Sequence, residues 1–472
     1  MWGSMERIGD DVDDSFLSVK ARENKMNSKN ICIIGGGSRA WAITFMKDLS
    51  LAPEASGRIT LYDINAQSAR NNVAVGTRIF ERNNAAGKFE IVAEDNLDKA
   101  LEGADLVIIS IEPGATSCRY GDLVLPQEYG ILQTVGDTTG PGGIFRARRA
   151  LPLFFEFGRA VQKNCPHAWV INYTNPMTLC TGALYRAFPD IKALGCCHEV
   201  FHTQHYLAEL VAQWFGVPTP DRREIHVDIT GVNHFTFATK ATWRGHDLMP
   251  GLREIAAHTS TFSDLTIKAQ ERIREEKWFD NDKLVALDLL RTTGALGAAG
   301  DRHLAEFVPW YRADEKELWK LGVVRTPYEW RVSQAAEKRE KVFTDDDLMA
   351  TPSDEEGVDI MRSLMGERTL RTNINVPNQG QVSYLKKGHI VESNGFISQD
   401  SIEPIMSSDP PLAVQSLVRH VADVQEMTLD AVWREDDELL FSAFILDPLV
   451  RLPLEKAREL FGRMKEASAL TY

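Results

Sequence analysis

A short apolar run, Ile31 to Ile34, opens directly into three glycines and then into a helix-like apolar pattern, in the stretch NICIIGGGSRAWAITFMKDL that begins at Asn30. An all-apolar strand of this kind suits burial on both faces, as in a parallel sheet. Gly35, Gly37 and Ala40 fit the form G-x-G-x-x-A. The first permits a tight turn, the second lets backbone approach a pyrophosphate, and the small third residue lets helix and strand pack closely. The next apolar run, RITLYD, ends in Asp63. That is about the separation at which a carboxylate receives the adenosine ribose hydroxyls, and an acid there favours NAD over its 2'-phosphorylated form. A third run, ADLVIIS, ends in Ser110 and leads into IEPGA, another loop on the same rim. The pattern predicts an α/β fold with an N-terminal Rossmann-type, doubly wound parallel sheet. Its cofactor contacts are Gly35, Gly37, Ser38, Asp63 and Ser110; the competing reading is the same fold with an empty glycine turn.

The rest of the chain sets the frame. With 472 residues, 43% of them hydrophobic, it is long enough for two substantial domains. Residues 30–200 read as the NAD-binding domain. From residue 201 the rhythm changes: REIHVDITGVNHFTFATKATWRG alternates polar and apolar residues and is rich in aromatic and β-branched ones, so antiparallel strands are expected. Helical stretches such as TIKAQERIREEKWF and PLAVQSLVRHVADVQEMTL complete a C-terminal mixed α+β domain over 201–472, for substrate binding and oligomerisation as a homodimer or homotetramer. The polar residues 1–29 lack the apolar core of a signal peptide and read as a disordered tail. A formal charge of -14 argues against nonspecific nucleic-acid binding, and no apolar run is long enough to span a bilayer. Six cysteines without framework spacing point to a reducing, cytoplasmic setting.

The strand ends carry the chemistry. AWVINYTNPM ends at Asn175-Pro176, and in open parallel sheets such carboxyl ends face the ligand crevice. Asn175 can therefore hydrogen-bond a sugar hydroxyl, or simply make a turn before proline. IKALGCC delivers Cys197, His198 and Glu199 to the same rim, although Cys196 and Cys197 could also be small buried hydrophobes. His234, in GVNHFTF, sits in an apolar strand context where a satisfied core histidine is the plain reading. Paired with Cys197 it becomes a metal ligand. Two protein ligands leave positions open for substrate hydroxyls, as a Lewis-acid site requires, but these donor types do not by themselves select manganese.

Taken together, ICIIGGGS, INYTNPM, GCCHEVF, GVNHF, GAAGDRHLAEF, NQGQV and DPLV make the chain after residue 29 resemble the NAD- and divalent-metal-dependent glycoside hydrolases of family 4. The resemblance is strongest to the branch acting on α-galacturonides. It implies Cys197 and His234 as ligands of a catalytic divalent cation, usually Mn2+, with other divalent metals able to serve. It also implies hydrolysis by transient C3 oxidation with NAD, C2 deprotonation, elimination, water addition and return of the hydride. This is an exception to the two-carboxylate scheme of most glycosidases.

By motif position, Asp137 in QTVGDTTGPGG is the expected leaving-group acid and Asp301 in AAGDRHLAEF the expected C2 base. Asn175 and His198 are expected at the sugar. Glu199 orients those groups or caps the following helix. A uronic acid needs a carboxylate clamp, best met by a bidentate arginine, and Arg146 and Arg302 are the candidates. Asn378 and Gln381 could add hydroxyl contacts or form a turn. The expected substrates are small pectin-derived oligosaccharides. The alternatives are an α-glucosidase or α-glucuronidase of the same family, a simple NAD-dependent sugar or hydroxy-acid dehydrogenase, and a noncatalytic NAD-sensing protein.

Overall fold

The computed structural model describes residues 28–259 and 265–469. The expected tail therefore lies outside the described residues up to position 27, and its last two positions, Ser28 and Lys29, already belong to the first strand. That strand, β1 (Ser28–Ile34), is followed by β2 (Ser56–Tyr62), β3 (Phe89–Ala93), β4 (Leu106–Ile109), β5 (Trp169–Asn172) and β6 (Lys192–Gly195). They hydrogen-bond in the order β3-β2-β1-β4-β5-β6, every pair parallel. This is the Rossmann order, in which the chain reverses direction beside β1 and leaves a crevice at the strand ends. Burial on both faces explains the unbroken apolar runs. Ile31 and Ile33 pack with Phe45 and Met46 on one side. Cys32 and Ile34 pack with Leu151 and Phe154 on the other.

The C-terminal strands do not form a sheet of their own. These are β7 (Ile225–Val232), β8 (Phe235–Trp243), β9 (His246–Asp247), β10 (Leu296–Gly297), β11 (Leu370–Pro377), β12 (Ile390–Ser398) and β13 (Ser401–Pro404). Strand β11 lies antiparallel to β6 through the single registered pair Asn375 and Gly195, and β12, β7, β8 and β10 follow outward. One sheet thus runs from the glycine loop to the far edge of the C-terminal half. The second half keeps its own core, in which Ile229, Phe235 and Phe237 pack with Leu287, Leu290, Leu304 and Phe307. Among the described residues no helix is long and apolar enough to cross a membrane.

This layout stations the site. Gly35 follows β1, Asp63 follows β2, Ser110 follows β4, Asn175 follows β5 and Cys197 follows β6, all at carboxyl ends of parallel strands. The β7–β8 turn and the helix Asp301–Phe307 close the crevice from the other half. The loop bearing Asp137 lies in the long crossover between β4 and β5, just before the helix Gly140–Asn164.

Candidate active site

The glycine loop fits a dinucleotide. Gly35 has φ +93, and a Cβ there would come within 1.9 Å of the Ser110 carbonyl oxygen. A Cβ on Gly37 would reach 2.8 Å from Asp63 Oδ2, the atom that accepts the Gly37 N–H at 2.9 Å. Asp63 Oδ1 accepts from Asn65 N at 2.9 Å, so this one carboxylate fixes both the loop and the following turn. Ser38 Oγ accepts from Trp41 N at 3.2 Å and caps the helix Trp41–Leu51. Its hydroxyl thus stands at a helix N-terminus, where a pyrophosphate would bind.

Across the crevice, β7 turns into β8 at Asn233 and His234, between the paired residues Val232 and Phe235. His234 is therefore a turn residue, not the strand residue its apolar neighbours suggested. Its φ is +65, a left-handed conformation that is uncommon outside glycine and asparagine. Such a residue persists where its surroundings hold it, and here they aim an imidazole. His234 Nδ1 lies 2.8 Å from Thr138 Oγ1, whose hydroxyl donates to Asp137 Oδ1 at 2.7 Å. Thr138 has one proton and gives it to Asp137, so His234 must donate from Nδ1, leaving the Nε2 lone pair free. Burial and the neighbouring His303 push the His234 pKa down to about 3, and the ring is neutral, as a metal ligand must be.

His234 meets Asp137 and His303, with one ligand atom from each lying within 4.8 Å of the others. His303 Nδ1 is buried without a hydrogen-bond partner, as is Asn175 Oδ1. Two imidazoles, a carboxylate and orphaned polar atoms fit a divalent cation with substrate hydroxyls on its open side. Cys197 is not in this group. Burial, with Glu392 and Glu199 nearby, pushes its thiol well up, so it carries a proton that a cation would have to displace. His303 carried no assignment from the sequence, although it stands two residues after Asp301 in the quoted motif GAAGDRHLAEF.

Several expected roles change. Burial opposes ionisation of Asp137, but His303, His234, Arg146 and Arg119 outweigh it and hold the carboxyl well below its usual range. An ionised Asp137 can hold a cation, or accept a proton that it could then pass to the leaving group, the role expected of it. Asp301 is fully buried, and its Oδ1 accepts Ala286 N at 3.1 Å at the start of the helix Leu284–Thr293. Burial raises it to about 6 against the pull of Lys283 and the backbone N–H groups of Ala286, Val285 and Leu284. Oδ1 anchors that helix, while Oδ2 is buried without a hydrogen-bond partner, so one carboxylate oxygen is left for the expected role of C2 base. Arg146 is also engaged: Nε donates to the Asn175 carbonyl at 2.9 Å, Nη2 donates to Glu112 Oε2 at 3.1 Å, and Nη1 pairs with Glu112 Oε1. With all three nitrogens donating, it holds the rim together and is not an open clamp.

Arg302, by contrast, is buried and pairs with no carboxylate among the described residues. Its Nη2 donates to the Thr134 carbonyl at 3.1 Å and to Thr326 Oγ1 at 2.9 Å. His198 lies outside the cation group, with Nδ1 3.0 Å from Glu355 Oε1 and its ring stacked on Trp41. Glu199 does not cap its own helix. Its Oε2 accepts Gly300 N at 2.6 Å and its Oε1 lies 3.7 Å from His303 Nε2, so it orients the helix that carries Arg302 and His303. Asn378 is spent on a turn, donating to the carbonyls of Val382, Leu385 and Lys386, and Gln381 Nε2 donates to the Pro377 carbonyl, so neither offers a sugar contact.

Glu306 was also missed. From the C-terminal half its Oε1 accepts Val135 N at 3.1 Å and Gly136 N at 2.8 Å, fastening the Asp137 loop.

Two family models match the chain: Family 4 glycosyl hydrolase over residues 30–213, and Family 4 glycosyl hydrolase C-terminal domain over residues 229–450. An alpha-galacturonidase from Bacillus subtilis (strain 168) is 43% identical over 439 residues, covering 92% of this chain and 96% of the relative. A crystal structure of a Bacillus subtilis protein described as a glucosidase superposes with TM-score 0.85 at 42% identity, covering 93% of this chain and 99% of that one. A 6-phospho-beta glucosidase from Thermotoga maritima, solved with manganese, NAD+ and glucose-6-phosphate, shares the fold with TM-score 0.70 at 20% identity, covering 93% and 98%.

Proposed function

The chain belongs to glycosyl hydrolase family 4, and on that premise we propose that it hydrolyses α-galacturonide bonds in small pectin-derived oligosaccharides. The observation that carries the substrate class is Arg302, a buried guanidinium at the Asp137 loop with no carboxylate of its own. A uronate would complete it, whereas the hydroxymethyl group of a neutral sugar would leave it unpaired. The alpha-galacturonidase at 43% identity supports the same reading.

NAD, when bound, supplies reversible hydride transfer at sugar C3, and a divalent cation such as Mn2+ supplies Lewis-acid stabilisation of the charge that develops on the sugar oxygens. The chain's own residues do the positioning. Asp63 receives the adenosine ribose while Gly35, Gly37, Ser38 and Ser110 shape the loop beneath the pyrophosphate. His234 would present Nε2, and Asp137 and His303 would hold the cation with it, while Cys197, outside that group and protonated, would join only by giving up its proton. Asn175 offers its unpartnered Oδ1 to a sugar hydroxyl, and His198, held by Glu355, lines the approach. The reaction has no net redox change.

A panel of α-linked uronides and neutral glycosides, assayed with NAD and Mn2+, tests the proposal by following sugar release and NADH absorbance together. Galacturonides should be cleaved with NAD required and no NADH accumulating, and product formed in deuterated water should carry deuterium at C2. Stoichiometric NADH would establish a dehydrogenase instead. Cleavage of neutral α-glucosides as fast as uronides would favour the second reading, an α-glucosidase; the structure with TM-score 0.85 is described as a glucosidase, without an anomeric preference. We place the enzyme in the cytoplasm as a homo-oligomer; the six cysteines, all buried and unpaired, support a reducing compartment.

A further inference from the structure

Four guanidinium groups gather around the loop that carries Asp137, and they are unequally partnered. Arg119 and Arg146 share the carboxylate of Glu112. Arg302 and Arg331 form no ion pair among the described residues. Arg331 Nη2 donates to the Val135 carbonyl at 3.2 Å, next in sequence to the Thr134 carbonyl that accepts from Arg302. The two side chains therefore hang from consecutive residues, three and two positions before Asp137. Each retains a buried Nε with no hydrogen-bond partner, and so does Arg119 at Nη1. Three unpartnered N–H groups on cationic side chains in one place are an unfilled demand for an anion.

Charge says the same. Burial, together with Arg119 and Arg302, pushes Arg331 down to about 9, the behaviour of a cation short of counter-charge. This occurs in a chain whose formal net charge is -14, so the positive excess is local. The helix Tyr328–Glu340 that carries Arg331 has no fully buried residue, and the inward reach of this side chain is not a by-product of core packing.

We propose that Arg331, with Arg302 and the free N–H of Arg119, forms the element that reads the substrate's carboxylate, Arg331 being the specificity-determining member. The assignment rests on the galacturonide reading above for the identity of the anion. A carboxylate accepts two parallel N–H groups in one plane, which the Nε edge of a guanidinium provides and an ammonium does not.

The test compares wild-type protein, Arg331→Met and Arg331→Lys, each loaded with NAD. Calorimetric titration with galacturonate, glucose 6-phosphate and galactose is combined with kcat/KM on matched α-galacturonide and α-galactoside. Wild-type protein should prefer the uronide by on the order of a hundredfold or more. Arg331→Met should remove most of that preference with galactose binding, NAD affinity and Tm unchanged, and Arg331→Lys should restore part of it. If Arg331→Met keeps the wild-type preference, or weakens galactose and galacturonate equally as a mere loop clamp would, the assignment is overturned. Should the methionine variant not fold, the lysine variant decides alone: an undiminished uronide preference overturns the role. If wild-type protein instead prefers glucose 6-phosphate and Arg331→Met abolishes that preference, the galacturonide reading falls while Arg331 stands as the anion reader.

Discussion

Thr138 Oγ1 and His234 Nδ1 lie 2.8 Å apart although 96 residues separate them in the chain. Because the threonine proton is committed to Asp137, this contact fixes the tautomer of His234 and leaves Nε2 as the ligand atom. Thr138→Val should therefore weaken Mn2+ binding by about 10- to 100-fold, with NAD affinity unchanged. Electron paramagnetic resonance of free Mn2+ measures this directly, and an unaltered affinity would show that the tautomer is set elsewhere.

The cation's ligands can be ranked in the same way. His234→Ala should abolish Mn2+ binding, and His303→Ala and Cys197→Ser should each weaken it by about tenfold or more. All three variants should still bind NAD. Full Mn2+ occupancy in His234→Ala would remove the proposed centre, and full occupancy in Cys197→Ser would confine it to Asp137, His234 and His303.

Asp63 has two tasks, since the carboxylate that should meet the ribose also receives the N–H groups of Gly37 and Asn65. Asp63→Ala should weaken NAD binding through both the lost acceptor and a loosened loop. Asp63→Asn, which keeps an acceptor oxygen, should recover part of the loss. Titration by quenching of tryptophan fluorescence would follow both, and equal affinities in the two variants would deny the loop its share.

Burial and the nearby Asp137 raise Glu306 to about 7 from the ordinary glutamate value of 4.5. A carboxyl raised on folding contributes stability that is fully present below its unfolded pKa and is lost as pH rises through its folded pKa. The window here runs from about 4.5 to about 7. Glu306→Gln keeps an oxygen for the N–H groups of Val135 and Gly136 and cannot ionise. Relative to wild type, its Tm should gain as pH is raised from 5 to 8, and parallel Tm profiles would show that Glu306 does not titrate there.

The cofactor half was legible because its signals are local. Gly35, Gly37 and Asp63 lie within thirty residues, and the central strands β1 and β4 announce themselves by apolar runs, whereas the edge strand β3, with Glu90 in it, went unread. Asn175 and the rim at Cys197 followed from strand ends. What failed was everything decided by a distant partner. Arg146 looked open until Glu112, on another loop, took its fork. Asp301 was read only as a base, yet a helix N-terminus also claims one of its carboxylate oxygens. His234 looked like a strand residue because aromatic neighbours mask a two-residue turn. His303 and Glu306 lay inside the quoted motif GAAGDRHLAEF without a role, and Arg331 lay in none, since their meaning arises only where the two halves of the sheet meet.

That meeting has a bearing on synthesis. Glu306 and Arg302 hold the Asp137 loop from positions more than 160 residues later in the chain. On the ribosome, the nucleotide-binding strands can be complete while this loop still lacks its fasteners. A nascent N-terminal half would lack the bonds that fasten the Asp137 loop and the His234 and His303 side chains of the cation group. Competence requires the C-terminal residues to be made and docked.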